Sequence, residues 1–158
     1  MKLNLWAKSD PGKTREAKAS EKLNSLKSID KETARIPFPK VEKRVYEEEF
    51  GNSAINAAIA KAPIEYVQIS SLSTIQNGVD RGEVKHFIQD PNSVKKGTTS
   101  PRHGGIIDHP IILQWKGVDA IWDGNHRTVA AWCRGEKYIQ ARVVDLDSLE
   151  TKEKESAA

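Results

Sequence analysis

Ile121-Trp122-Asp123-Gly124-Asn125-His126-Arg127-Thr128-Val129-Ala130-Ala131 decides how this chain is read. The β-rich run Ala120-Ile121-Trp122 ends in Asp-Gly, and a helix-favouring run begins with no further linker. The first turn of a helix presents backbone N–H groups and the positive end of the helix dipole. Gly124 lets the main chain come close to a ligand, and Arg127 can clamp an anion through two parallel hydrogen bonds. Strand, glycine turn and helix start together describe an anion site, most naturally one for phosphate. The same residue types also make an ordinary turn and cap, with Asp123 as the brace, so both readings stand.

On the C-terminal side of this corner, Arg127 to Arg134 reads as a helix with Val129, Ala130 and Cys133 on one face and Gly135 as its stop. Tyr138 to Val144 alternates as a final strand, and residues 148–158 read as a charged, flexible tail. On the N-terminal side, Ile111 to Trp115 and Ala120 to Trp122 are strands, joined into a hairpin by Lys116-Gly117-Val118-Asp119. Trp115 and Trp122 sit on these neighbouring strands, which suits cross-strand packing better than base stacking. Residues 92–105 form a basic, glycine-containing loop of a length that is often functional. There, Ser100, Arg102, His103 and the amides of Gly104-Gly105 could close over a phosphate chain. Before it, Asp80 to Gln89 reads as a helix capped by Asp80, with Val84, Phe87 and Ile88 facing inward, and Tyr66 to Ile69 reads as a strand.

The composition changes near residue 60. Residues 8–35 are rich in Lys, Glu, Ser, Asn and Thr, with a thin apolar stripe at Leu23, Leu26 and Ile29 that needs a partner surface. Ile36-Pro37-Phe38-Pro39 breaks any helix. Val41 to Phe50 is strongly charged, Gly51-Asn52 is a break, and Ser53 to Ala60 reads as a short alanine-rich helix capped by Asn52 or Ser53. The expected organisation is an interaction arm over residues 1–63, a domain over 64–147 and a tail over 148–158. With 37% hydrophobic and 30% charged residues among 158, the chain can hold one modest core with some extra chain.

A net charge of +3 permits a polyanionic partner without demanding one. The single cysteine, Cys133, excludes an internal disulfide framework and fits a reducing compartment. Neither a signal peptide nor the run of about 20 apolar residues needed for a membrane helix is visible. The expectation is a soluble cytoplasmic protein. The histidines His86, His103, His109 and His126 invite a metal, but their spacing matches no standard zinc geometry, and none is expected.

Taken together, Pro110-Ile-Ile-Leu, Gly117, the Asp-Gly-Asn-His-Arg run, Gly135-Glu136, Ile139-Gln-Ala-Arg-Val and the upstream Val67-Gln-Ile-Ser-Ser-Leu resemble the ParB N-terminal/sulfiredoxin superfamily. The resemblance covers about half the chain. It implies an α+β fold, a small mixed sheet with packed helices, here preceded by a partly helical extension. Sulfiredoxins carry a catalytic cysteine in this motif, where this chain has Asn125, so sulfiredoxin chemistry is not expected. Partition ParB proteins carry two arginines at the positions of His126 and Arg127, bind CTP and continue into a DNA-binding region. Free-serine kinases of the superfamily use a similar corner with ATP or ADP. The motif looks most like that of stand-alone, often phage or plasmid, ParB-like proteins; a phage-encoded member would act in the host cytoplasm.

The resemblance implies a nucleotide- or nucleic-acid-phosphate-binding protein: a nucleotide triphosphatase, a kinase or a nuclease. Gly124, Asn125, His126, Arg127, Thr128 and Arg102 would hold phosphate, with ATP or CTP and magnesium as the expected ligand. His126 and Asp123 would be catalytic, His126 as a general acid or base and Asp123 through the loop or magnesium. Asp80 and Glu83 are where a kinase-like member would keep its base, and a nuclease site could combine Asp108, His109, Asp123 and His126. DNA binding is open. The alternative is a catalytically silent interaction or structural protein whose arm, residues 1–60, binds a partner protein.

Overall fold

Trp115 pairs directly with Val118, so Lys116 and Gly117 alone close the central hairpin, and both take positive φ, 52° and 77°. That is the turn geometry that matches the twist of two antiparallel strands, and Gly117 meets it without steric cost. The computed structural model describes residues 11–91 and 109–150. The elements in chain order are α1 (Pro11–Ser25), β1 (Thr33–Arg35), α2 (Lys43–Phe50), α3 (Asn52–Lys61), β2 (Ile64–Gln68), β3 (Leu72–Thr74), β4 (Gly78–Asp80), α4 (Arg81–Gln89), β5 (Ile111–Trp115), β6 (Val118–Asp123), α5 (Asn125–Cys133) and β7 (Tyr138–Asp145), with a 3-10 turn at Ile69–Ser71. The architecture is α+β, as the sequence implies.

The main sheet has five strands in the order β2-β7-β5-β6-β3. It is mixed: β7 runs antiparallel to β2 and parallel to β5, while β6 runs antiparallel to β5 and parallel to β3. Side chains alternate between its two faces. Ile111, Leu113, Trp115, Ala120, Trp122 and Val144 pack under α2 and α3 against Tyr46, Phe50, Ile55 and Ile59. Ile112, Ile121, Ile139, Ala141 and Val143 face the other way, onto Ala131 of α5. Trp115 and Trp122 are buried, with the Tyr46 ring 5.4 and 6.0 Å from them, so the tryptophans serve packing, as expected.

The charged stretch at residues 43–50 hides an amphipathic helix. Tyr46 and Phe50, one turn apart, are its buried face. The cap expected at Asn52 or Ser53 is not seen: the N-cap of α3 is Gly51, at φ 83°, with no side-chain cap hydrogen bond. The chain turns there sharply enough that glycine itself starts the helix.

Residues 11–62, set apart by composition, pack closely onto the rest. Ala19 and Leu23 of α1 are buried with Val84, Phe87 and Val129. Arg81 fixes the end of α1, donating to Leu23 O (2.9 Å), Leu26 O (2.9 Å) and Ser28 Oγ (2.9 Å), which satisfies carbonyls that a helix end leaves open. Because α1 stops at Ser25, Leu26 and Ile29 do not extend its stripe, and Ile29 stands 51% exposed. β1 then pairs antiparallel with β4 in a separate two-stranded sheet. The Pro37-Phe38-Pro39 break passes beside β3, where Val41 N–H donates to Thr74 O (2.8 Å) and Thr74 N–H to Pro39 O (2.9 Å).

After β7 the chain enters a helical turn over residues 146–150, with Leu146 buried. Asp145 caps it, accepting from Ser148 N (3.1 Å) and Ser148 Oγ (2.7 Å), and the hydroxyl bond first, then the amide, holds the Asp145 carboxyl below its ordinary range. The remainder of the expected tail, residues 151–158, lies outside the described residues.

Candidate anion site

Strand β6 delivers Asp123 to a left-handed glycine, and α5 begins on the next residue. Gly124 sits at φ 88°, ψ 26°, in the region that favours glycine. A Cβ on Gly124 would lie 2.7 Å from Pro110 Cα and Cβ, so the glycine is required by Pro110 as well as by the turn. Asp123 Oδ1 accepts the Gly124 N–H at 2.9 Å, the brace that the sequence allows. Gly124 O accepts from Thr128 N at 3.0 Å and from Thr128 Oγ1 at 2.8 Å, closing the first helical turn. The N-cap of α5 is Gly124 itself, which has no side chain to cap the helix.

The expected ligands divide by direction. Asn125 is 3% exposed, and its Oδ1 accepts the Thr74 hydroxyl at 2.6 Å. Thr128 is fully buried, with its hydroxyl on Gly124 O. Neither side chain turns to the surface. What Asn125 can offer a ligand is its main-chain N–H at the helix start, whereas both donors of Thr128 are spent on Gly124 O. His126 and Arg127 are half-buried and lie toward α4. The Arg127 guanidinium stands 5.3 Å from the centre of the Phe87 ring, a cation–π distance. His126 Nε2 accepts the Asp80 N–H at 3.1 Å and lies 3.5 Å from Glu83 Oε2.

The N-termini of α4 and α5 therefore meet. Beside them opens a cleft of about 380 Å³ whose lining includes Asp80, Gly82, Glu83, His86 and Phe87. Asp80 is the N-cap of α4, as the sequence indicates, with its Oδ1 accepting Glu83 N–H at 2.9 Å. His86 packs edge-on to Phe87 at 5.4 Å. His86 and Thr74 carry roles that the sequence did not assign. Thr74 leaves no local signal, because its partner is 51 residues away in sequence.

Arg102, with Ser100, His103, Gly104, Gly105 and Asp108, lies outside the described residues, so the loop half of the expected site and the Asp108 arm of the nuclease reading have no placement. Among the described residues, no group of three or more His, Cys, Asp or Glu is placed to hold a metal ion. Cys133 is buried and free, and burial pushes its thiol up to about 11 despite Lys22 and Arg134 nearby, which leaves no nucleophilic thiolate at neutral pH. Among the same residues, no helix is long and apolar enough to cross a membrane.

No protein-family model matches the sequence, and no curated protein matches it. Among solved structures, the chain is similar to the crystal structure of sulfiredoxin from Arabidopsis thaliana, at 17% identity and a TM-score of 0.37, over 56% of this chain and 94% of that one.

Proposed function

We propose that this protein binds a phosphate-bearing ligand, a nucleotide in the first instance, at the corner between β6 and α5. The observation that carries this reading is that His126 joins the start of α5 to the start of α4, with Arg127 over Phe87, a residue of the cleft beside them. The dipole and first-turn amides of α5 favour an anion, and a guanidinium supplies a directed clamp. The left-handed Gly124 sets where the α5 amides point.

The sequence motif, Asp-Gly-Asn-His-Arg after a hairpin strand, supports the same ligand class through its resemblance to ParB-like proteins. ATP and CTP are the candidates to test first. Magnesium would be held mainly by the phosphates and at most one or two carboxylates, which is how that ion usually sits with nucleotides. A partner-binding role for residues 1–60 would have to use side chains other than Ala19 and Leu23, which are buried in the chain's own core.

Thermal unfolding of the wild type and of Arg127→Ala, with and without ATP, CTP or ADP and magnesium, tests the reading. A ligand that binds only the folded state raises Tm by mass action. The expected result is a shift with at least one nucleotide, reduced in Arg127→Ala by about 10- to 100-fold in apparent affinity. No shift with any nucleotide at millimolar concentration sinks the proposal.

A further inference from the structure

One nitrogen of His126 faces two groups that cannot both bond it. Nε2 accepts the Asp80 N–H at 3.1 Å, which requires Nε2 to be unprotonated and places the imidazole proton on Nδ1. Glu83 Oε2 stands 3.5 Å from the same Nε2, a distance that becomes an ion pair only when Nε2 carries a proton. The two arrangements exclude each other. We infer that α4 sets the protonation state of His126, with the Asp80 main chain holding the neutral form and Glu83 serving as partner to the imidazolium, so that anion binding at this corner is linked to proton uptake.

The charges around His126 pull in both directions. On α4, the Glu83 carboxylate 3.5 Å away and that of the cap residue Asp80 favour the imidazolium, and His86, one turn after Glu83, opposes it when charged. Along its own chain, Asp123, three residues before, favours the charged form, and Arg127, the next residue, opposes it. The Asp80 N–H bond acts on neither charge, and it stabilises only the neutral ring. An anion arriving at the α5 N-terminus adds a further charge that favours imidazolium, so ligand and proton bind together. Protonation also breaks the Asp80 bond, the side-chain tie between the starts of α4 and α5, and transfers that tie to Glu83. His126 is then a proton-dependent latch between the starts of α4 and α5, with Glu83 as a positioning residue.

This inference rests on the phosphate reading for its ligand, but its core can be measured without one. Two-bond proton–nitrogen NMR correlations on the full-length chain report the His126 tautomer directly. At pH 8 the expected pattern is a proton on Nδ1 and a bare Nε2, and the Asp80 amide resonance should move as His126 titrates. Glu83→Gln should lower the His126 midpoint by about half a pH unit or more. The Asp80 cap on α4 is left intact, because that bond uses the Glu83 main chain. Sulfate, which keeps one charge state across this range, serves as the anion probe. Its affinity should fall as pH rises from 6 to 8, by at most about tenfold per pH unit for one linked proton, and less steeply in Glu83→Gln. A proton on Nε2 at pH 8, or a midpoint unmoved by Glu83→Gln, overturns the inference. The expected tautomer and midpoint shift, with no sulfate binding at any pH, overturns the phosphate reading and the linkage to it, which keeps the two failures distinct.

Discussion

Thr74 and Asn125 share a buried hydrogen bond of 2.6 Å that joins strand β3 to the first residue of helix α5. Thr74 Oγ1 also accepts the Gln76 N–H at 3.1 Å, so the hydroxyl is used twice. The bond ties the first residue of α5 to β3, and with it the direction of the amides at the helix start. Removing Asn125 strands the buried Thr74 O–H donor, and removing Thr74 strands Asn125 Oδ1 together with the Gln76 N–H, each at about 1–3 kcal/mol. Asn125→Ala and Thr74→Val are each expected to lower the urea midpoint by that equivalent. The double variant should lose less than the sum of the two. Strict additivity would show that the bond contributes nothing.

Gly124 and Gly117 separate two reasons for a glycine. Both have positive φ, but a Cβ on Gly117 meets nothing within 4 Å, whereas one on Gly124 would press into Pro110. Gly117→Ala is expected to cost about 1–2 kcal/mol, the dihedral penalty alone. Gly124→Ala should cost at least about 1 kcal/mol more, because backbone at Pro110 must shift, and it should weaken any anion binding as α5 is displaced. Equal losses in chemical denaturation would remove Pro110 from the account.

Arg81 ties the end of α1 to α4, beside the Lys22 bond to Trp132 O (3.1 Å) that joins α1 to α5. Arg81→Met keeps the aliphatic stem but abandons two carbonyls and the Ser28 hydroxyl, and should destabilise by about 3 kcal/mol. Deleting residues 1–62 should do more, since it strips Leu23, Ile36, Tyr46, Phe50, Ile55 and Ile59 from the core. The truncated chain should show no cooperative unfolding transition. A folded, cooperative fragment would mean that the N-terminal residues are dispensable after all.

Cys133 should be inert while the protein is folded. Its thiol lies near 11, raised from 9.0 by burial, so iodoacetamide at pH 7.5 should label it only as fast as the chain opens. The sign of the pH effect follows. A thiol whose folded pKa is raised keeps its full contribution below pH 9 and loses it as pH rises toward 11. The stability of wild type relative to Cys133→Ala should therefore decline between pH 9 and 11. Fast labelling of the native protein would contradict the burial.

Much of this molecule is written locally. The Lys116-Gly117 hairpin, the Asp80 cap, the start of α5 at Asp-Gly and the stop at Gly135 follow from residues within four positions of one another, where backbone geometry and capping act directly. The Asp-Gly-Asn-His-Arg order likewise places a glycine turn at a helix start, the feature from which the phosphate proposal begins. Tertiary structure decided the rest. Whether a motif side chain faces in or out depends on long-range partners: Thr74 drew Asn125 inward, Asp80 and Glu83 drew His126 across to α4, and Phe87 received Arg127. The charged N-terminal third illustrates the same limit. Its few apolar residues were too sparse to announce a core. Ala19, Leu23, Tyr46 and Phe50 are buried because Val84, Phe87, Trp115 and Trp122 supply surfaces that no local window of sequence contains.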